Sequence, residues 1–483
     1  MRCSTEAATE PDPAGAAPLA EAAAPAERSA PAEEVARPVA APGRVATRLP
    51  ALASPVFRRF LTGAMVGSIG SWMQATAQGW LVLDLTDSPA ALGVVSALQT
   101  LPVLLLSVVA GVIADRLDRR TLLVTTQLFA AVVALVMAVL TTAGVVTFWH
   151  VALLALLAGT ATAVQTPAYQ AIVSTLVDRA AIGSAVALNS AQFNLSRILG
   201  PSLAGAVIAA GGLQLAFWGN AVALVIVALV FRTLRAAPPS DLARAQASMW
   251  SNLIDGIRYV RSRRTIAVLV LLAGVPALFL LNYLVLLPVF ARDVLRIGAP
   301  GLGLLSGGIG AGALAGALGL AALRPAGGSG RSLLAGLVVG SVALVVFAAS
   351  REVVVSVAAL AVLGACQVLY YATTNTLLQV LVPARLRGRV MSLYILTSWG
   401  LIPIGNVIAG AVAERSTPSI ALIGGGLVTF AAALAVAVAV PEIRRLEAGA
   451  GAPPAGPASG AEPGGAPGPT SGAAPPSSSV AGR

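Results

Sequence analysis

Apolar and polar positions along the 483-residue chain are segregated into long blocks and do not alternate at short period. Twelve apolar runs have the length of a bilayer-crossing helix, which needs about 20 residues. They lie near residues 59–83, 89–113, 121–143, 148–175, 183–210 and 213–235, then 265–290, 301–322, 332–349, 353–380, 388–412 and 419–440. The pattern predicts an all-α integral membrane protein with twelve transmembrane helices. Residues 1–49 and 448–483 are polar, rich in Ala and Pro, and hold no apolar run, so both are expected to be disordered tails. The longest interruption, 236–264, falls midway and combines the sequence PPSD, an amphipathic stretch around Met249 to Tyr259 and a basic cluster. It reads as a linker joining two six-helix bundles, residues 50–235 and 265–447.

Composition agrees with this reading. Hydrophobic residues make up 57% of the chain and charged residues only 11%, with a mean hydropathy of +0.85; soluble domains carry about 25% charged residues. The net charge of +11 comes from arginine alone, since the chain has no lysine. If both termini face the cytoplasm, inside loops and membrane-proximal tails hold 22 arginines, and outside loops hold only Arg292, Arg296, Arg351 and Arg415. Such asymmetry is the positive-inside signature of a multi-pass protein of the inner, or plasma, membrane. The charge therefore gives no reason to expect a nucleic-acid partner, and its inner side suits anionic lipid in the bilayer. A monomer acting on a small-molecule substrate is expected.

Chemistry is narrowed by what is scarce. Cys3, Cys366 and a single histidine, His150, exclude a disulfide framework and argue against any metal site. Without lysine the phosphate loop G-x-x-x-x-G-K-[ST] is impossible. No nucleophile, acid and base constellation stands out, so neither an enzyme nor a cofactor is expected.

A shift of 205 residues brings Leu176-Val177 onto Leu381-Val382, Gly183 onto Gly388, Leu188 onto Leu393, Gly200 onto Gly405 and Ala204-Gly205 onto Ala409-Gly410. It also brings Gly111 onto Gly316, as a duplicated six-helix unit would. After the second span the chain reads Gly111-Val-Ile-Ala-Asp115-Arg116-Leu-Asp118-Arg119-Arg120. With the twelve spans and the repeat, this resembles the major facilitator superfamily and its signature G-x-x-x-D-R-x-G-R-[RK], with Asp118 in place of the second glycine. The stretches LTDSPAALG (85–93) and LNSAQFNLSRILGPSLAG (188–205) further resemble the drug and siderophore exporter branch, which includes enterobactin-exporter-like and macrolide-efflux-like members. The resemblance implies two pseudo-symmetric bundles in the major facilitator fold and proton-coupled efflux of a small amphipathic drug, siderophore or metabolite by alternating access.

The resemblance assigns a gate to Gly111, Asp115, Arg116, Arg119 and Arg120. The expected counterpart is the basic start of span 11, with Arg385, Arg387 and Arg389 beside a positive helix N-terminus. That contact would favour the cytoplasm-closed state. Gly200-Pro201-x-x-Ala204-Gly205 resembles the exporters' antiporter motif; small residues permit close packing and the proline permits a bend, so Gly200, Pro201 and Gly205 are expected to form a hinge.

Arg197 is the one charge placed inside a span, and its cost there predicts that it faces a cavity or a polar partner. Other polar positions that can line a central path, or simply bridge helices, are Gln74, Gln78, Asn189, Gln192, Asn282, Gln367, Tyr371 and Asn406. No acid lies mid-span. Asp84, at the outer end of span 1, is the nearest candidate for proton coupling. The competing reading is a non-transporting membrane receptor or scaffold that uses its polar tails to bind partners.

Overall fold

The computed structural model describes residues 49–173, 175–234, 249–322 and 329–446; both tails and the first part of the linker lie outside these residues. The described residues are helical, without a strand. Six helices form the first half: α1 (Pro55–Thr86), α2 (Pro89–Arg116), α3 (Arg119–Thr142), α4 (Phe148–Val173), α5 (Ile182–Gly211) and α6 (Leu213–Arg232). The linker contains α7 (Met249–Ser262).

In the second half, span 7 is α8 (Arg264–Phe279) and α9 (Tyr283–Val289), interrupted at 280–282. Spans 8 to 10 are α10 (Gly298–Ala322), α11 (Gly330–Ala349) and α12 (Val353–Leu381). Span 11 is α13 (Ala384–Gly400) and α14 (Ile402–Arg415), interrupted at Leu401; α15 (Pro418–Ala439) and the short α16 (Pro441–Arg444) follow.

Eleven of these segments are long and apolar enough to cross a membrane. The twelfth crossing helix, α1, has 32 residues, but Ser68, Ser71, Gln74, Thr76 and Gln78 dilute its apolar character. The outer surface is what a lipid-facing protein requires, with large side chains such as Val354 (81% exposed) and Leu271 (67%) left uncovered by the chain itself.

Local chemistry sets the helix boundaries. Ser54, Ser88, Thr417 and Asp118 each accept a backbone N–H of the first turn that follows, and proline occupies the first helical position after three of them. Gly212 turns the chain between α5 and α6 at a φ of 86°.

The crossings alternate in direction, so the bundle has a linker end and a far end. The linker end carries the linker, Pro55 and Ala439; the far end carries the turns near 87, 144, 212, 297, 351 and 416. Two seams join the halves, α5 against α10 and α2 against α14. Both are built on small residues. A Cβ at Gly93 would stand 2.5 Å from the Asn406 carbonyl oxygen, one at Gly205 2.8 Å from that of Ala299, and one at Gly410 2.7 Å from that of Pro89. Only glycine allows these backbones to approach so closely.

Candidate functional site

Arg197 lies midway along α5 and is partly buried. Its Nη2 donates across the seam to Gln367 Oε1 on α12 (3.0 Å) and to the Tyr283 hydroxyl on α9 (3.3 Å). Its guanidinium carbon stands 6.0 Å from the centre of the Trp72 ring on α1, at the outer limit of a cation–π contact. Arginine offers five N–H donors, so Nε and Nη1 retain donors with no protein acceptor among the described residues. No carboxylate neutralises the charge there, since every acid of residues 49–446 lies at a helix end, in a turn or on the linker.

Around Arg197, Phe193 lies one turn earlier on α5 and meets Trp72 edge-on at 6.1 Å. Tyr371 stacks on Trp399 at 6.2 Å, and its buried hydroxyl has no partner. Gln367 and Tyr371 border a cavity of about 10 Å³, room for a single water. Asn282 sits in the interruption of span 7; its amide donates to the Leu278 carbonyl (2.6 Å), while its own buried oxygen is unpaired.

Three polar residues expected along the path are spent on holding helices together. Gln74 accepts from the Asn220 amide (2.7 Å), tying α1 to α6. Gln192 donates to the Ala64 carbonyl and to Ser196 Oγ, both at 3.1 Å, tying α5 to α1. Asn189 accepts from the Tyr169 hydroxyl at 2.7 Å. Burial explains the outcome, because an amide in apolar surroundings must find a partner and the nearest lies in its own half. Gln78 is buried without a hydrogen bond among the described residues. Asn406 donates to Ser96 Oγ (2.9 Å) and crosses between halves at the far end.

The far end is locked by groups that the sequence reading passed over. Glu414, at the end of α14, accepts from Ser88 Oγ (2.8 Å) and from the Ala90 N–H (3.2 Å), so a carboxylate of the second half caps the N-terminus of α2 in the first. Arg292 pairs with Asp87 across the halves and also donates to the Leu83 carbonyl (3.2 Å). Asp84, the proton-coupling candidate, is exposed beside this cluster, where it feels the Arg292 charge. The signal for Glu414 was present in the sequence as Ser88-Pro89, a helix start, but nothing there names its distant partner.

The linker end differs. The surroundings of Gly111 and the side chains of Asp115 and Arg116 lie outside what is described. Asp118 caps α3, accepting from Thr121 N–H (2.9 Å) and Thr121 Oγ1 (2.7 Å), which accounts for an acid where the signature has glycine. Slight burial pushes its carboxyl up, but the bonds from Thr121 and Arg120 and the Arg120 charge together hold it below the ordinary carboxylate range. Arg120 donates to the Arg232 carbonyl, closing the end of α6 within the same half; Arg119 has no partner among the described residues. Arg389 pairs with Asp255 of α7 at 2.7 Å, while Arg385 and Arg387 are exposed without partners among the described residues.

The expected hinge is a continuous helix through Pro201. Gly200 packs against Ile69 and Trp72 of α1, and Pro201 and Gly205 face α10, so the motif builds the seam. Actual interruptions occur in spans 7 and 11.

A family profile described as transmembrane secretion effector matches residues 46–457. Over 401 residues the chain is 27% identical to the multidrug efflux pump Tap of Mycolicibacterium fortuitum, covering 80% of this chain and 96% of that protein. Over 172 residues it is 31% identical to the staphyloferrin A transporter of Staphylococcus aureus (strain NCTC 8325 / PS 47), covering 35% of this chain and 43% of the other. Among solved structures, the nucleoside transporter NupG superposes with a TM-score of 0.65 at 14% identity, covering 80% of this chain and 98% of that one. A bacterial homologue of the iron transporter ferroportin, in an inward-facing state, gives 0.62 at 18%, covering 81% and 99%. These last two likenesses concern the fold.

Proposed function

The chain belongs to the transmembrane secretion effector family of the major facilitator superfamily and is a multi-pass membrane transporter, and from that premise we propose that it exports a small amphipathic molecule from the cytoplasm by alternating access. The linker end faces the cytoplasm, following the arginine asymmetry, and the membrane is the plasma membrane. The name of one relative, a multidrug efflux pump, supports the outward direction. Membership of a transporter family favours this reading over a receptor or scaffold.

The observation that carries the proposal is Arg197, a charge kept midway through a span, bonded to the opposite half and left with free donors. A charge at mid-bilayer costs about 3 kcal/mol on insertion scales, an expense that a purely structural seam does not need. Because its partners lie on the other half, rocking the bundles changes its surroundings, and a ligand bound there is exposed first to one side and then to the other. Asp115 and the start of α13 form the complementary latch, which closes the linker end when the far end opens. Reconstituting the purified chain in liposomes and following efflux of a broad panel of amphipathic dyes tests this. Gradient-dependent flux is expected, reduced at least tenfold by Arg197→Gln; flux by the variant equal to that of the native chain would remove Arg197 from the site.

A further inference from the structure

We infer that the substrate is an anion with a flat apolar part, and that its own charge, drawn by the membrane potential, supplies the coupling that a resident carboxylate would otherwise supply. This rests on the export reading above.

The first ground is electrostatic. Arg197 is the one charge in the middle of the spans, and with Nη2 spent on Gln367 and Tyr283 its Nε and Nη1 keep N–H groups, on different edges of the guanidinium, that can each donate a single charge-assisted bond to a carboxylate, sulfonate or phosphate. Its protein partners are neutral: an amide oxygen and a phenol. A neutral or cationic ligand would leave the guanidinium uncompensated, and a cation would be repelled by it. The counter-charge must arrive with the ligand.

The second ground is shape. Phe193, 46% exposed, stands one helical turn from Arg197 on the same face and meets the Trp72 ring edge-on. Trp399 is 57% exposed and stacks on Tyr371, whose neighbour Gln367 lies four residues earlier on α12 and is bonded to Arg197. Aromatic surface thus flanks the cation on both halves, suited to a planar group carrying an acid.

The third ground is the placement of the acids. Asp84, Asp87, Asp293, Glu352 and Glu414 lie at the far end; Asp115, Asp118, Asp178, Asp255 and Glu442 lie toward the linker end. None lies on the path between Arg197 and either side at mid-span depth, where an exchangeable proton would have to compete with substrate. Arginine itself does not release its proton. Arg197 stays at mid-span as the halves rock, so the charge translocated in one cycle is that of the ligand. With the cytoplasm negative, the potential drives an anion outward, and a monoanion accumulates outside about tenfold for each 60 mV.

The test uses the full chain in proteoliposomes with two probes of one shape, naphthalene-1-sulfonate, permanently anionic, and naphthalene-1-sulfonamide, neutral at pH 7. The pH is held equal on both sides by the same concentrated buffer, and the potential is set with valinomycin and a potassium gradient. Sulfonate flux should follow the potential, reverse when its sign is reversed, fall at least tenfold in Arg197→Gln, and be unaffected by Asp84→Asn. Binding of the sulfonate to detergent-solubilised protein should weaken in Arg197→Gln and partly recover in Arg197→Lys. Sulfonate flux that follows a pH gradient and ignores the potential would overturn the coupling. Equal transport of both probes, unaffected by Arg197→Gln, would overturn the anion class and leave export standing. Absence of flux of either probe while dyes of the broader panel are exported would overturn the anion class, and absence of flux of probes and panel alike would overturn the export reading itself.

Discussion

The same helices behave oppositely at their two ends. Toward the far end, glycines of α2, α5, α10 and α14 sit so close to the opposite half that a single added carbon would strike backbone, as at Gly93, Gly205, Gly303 and Gly410. Toward the linker end, Gly183 of α5, Gly319 of α10 and Gly388 of α13 face open space. The polar contacts divide in the same way. Glu414 and Arg292 reach across to the first half, whereas Arg389 turns to the linker helix and Arg385 and Arg387 are unpaired among the described residues. Among the described residues the far end is thus the more tightly joined of the two, and we take α2, which meets both α13 and α14, as the lever between the ends. At the far end, a carboxylate on α14 caps the start of α2. At the linker end, the proposed latch is its counterpart, with a carboxylate on α2 and the helix start on α13.

If the far-end seam depends on glycine, Gly93→Leu should have the largest effect. Its Cβ would meet the Asn406 carbonyl oxygen at 2.5 Å and the Gly410 Cα at 3.3 Å, so closure is blocked by backbone that cannot step aside. Transport should fall more than tenfold while membrane insertion and yield persist, and a cysteine placed at Ser96 should become reactive to an impermeant thiol reagent from outside.

Arg292→Ala removes the cross-half pair with Asp87 and the bond to the Leu83 carbonyl. Because Asp87 is exposed, the pair contributes only about 1 kcal/mol. A roughly fivefold shift toward the far-end-open state is expected, measured as labelling of the same Ser96 cysteine.

Asp255→Asn acts at the other end by releasing Arg389 from α7. The freed arginine becomes available to the first half, so linker-end closure should increase about twofold to threefold, read as reduced thiol labelling from the cytoplasmic side.

The smallest effect concerns the fold and not the lever. Asp118→Ala removes the cap of α3, worth about 1 kcal/mol, and should lower the Tm slightly. Since the Asp118 carboxyl is held below its ordinary range, its contribution is present above the unfolded value of about 3.9 and is lost as pH falls through the lower folded value. The native chain and Asp118→Ala should therefore converge in Tm in that acid range and differ at pH 7; an equal difference at both pH values would contradict the cap.

Much of the fold is legible in the sequence, because lipid demands continuous apolar helices and arginine marks one side of them. Span 9, expected at 332–349, is Gly330–Ala349, and the amphipathic stretch of the linker is a helix. Interruptions in spans 7 and 11 were not legible; Pro276 and Pro403 mark their neighbourhood, but Pro102, Pro167 and Pro201 lie inside unbroken helices. Whether proline breaks a helix depends on neighbours that can take up its freed carbonyl.

The site was legible only in part. Arg197 stood out because a charge inside a span is costly, whereas Gln74, Gln192 and Asn189 looked equally eligible until their partners Asn220, Ala64 and Tyr169 were known. Polarity marks a residue as needing a partner; which helix supplies it is a property of packing between segments distant in sequence. Glu414 and Ser88, 326 positions apart, show the same limit.

The lever is tested most directly by measuring both ends together. With Cys3 and Cys366 replaced by serine, spin-label pairs placed at Val145 and Arg351 report the far end, and pairs at Arg179 and Arg444 report the linker end. Double electron–electron resonance is then recorded for this chain and for its Glu414→Gln variant. The account predicts that neutralising Glu414 lengthens the far-end distance and shortens the linker-end distance in the same sample. A far-end distance unchanged by the substitution, or both distances lengthening together, would contradict it.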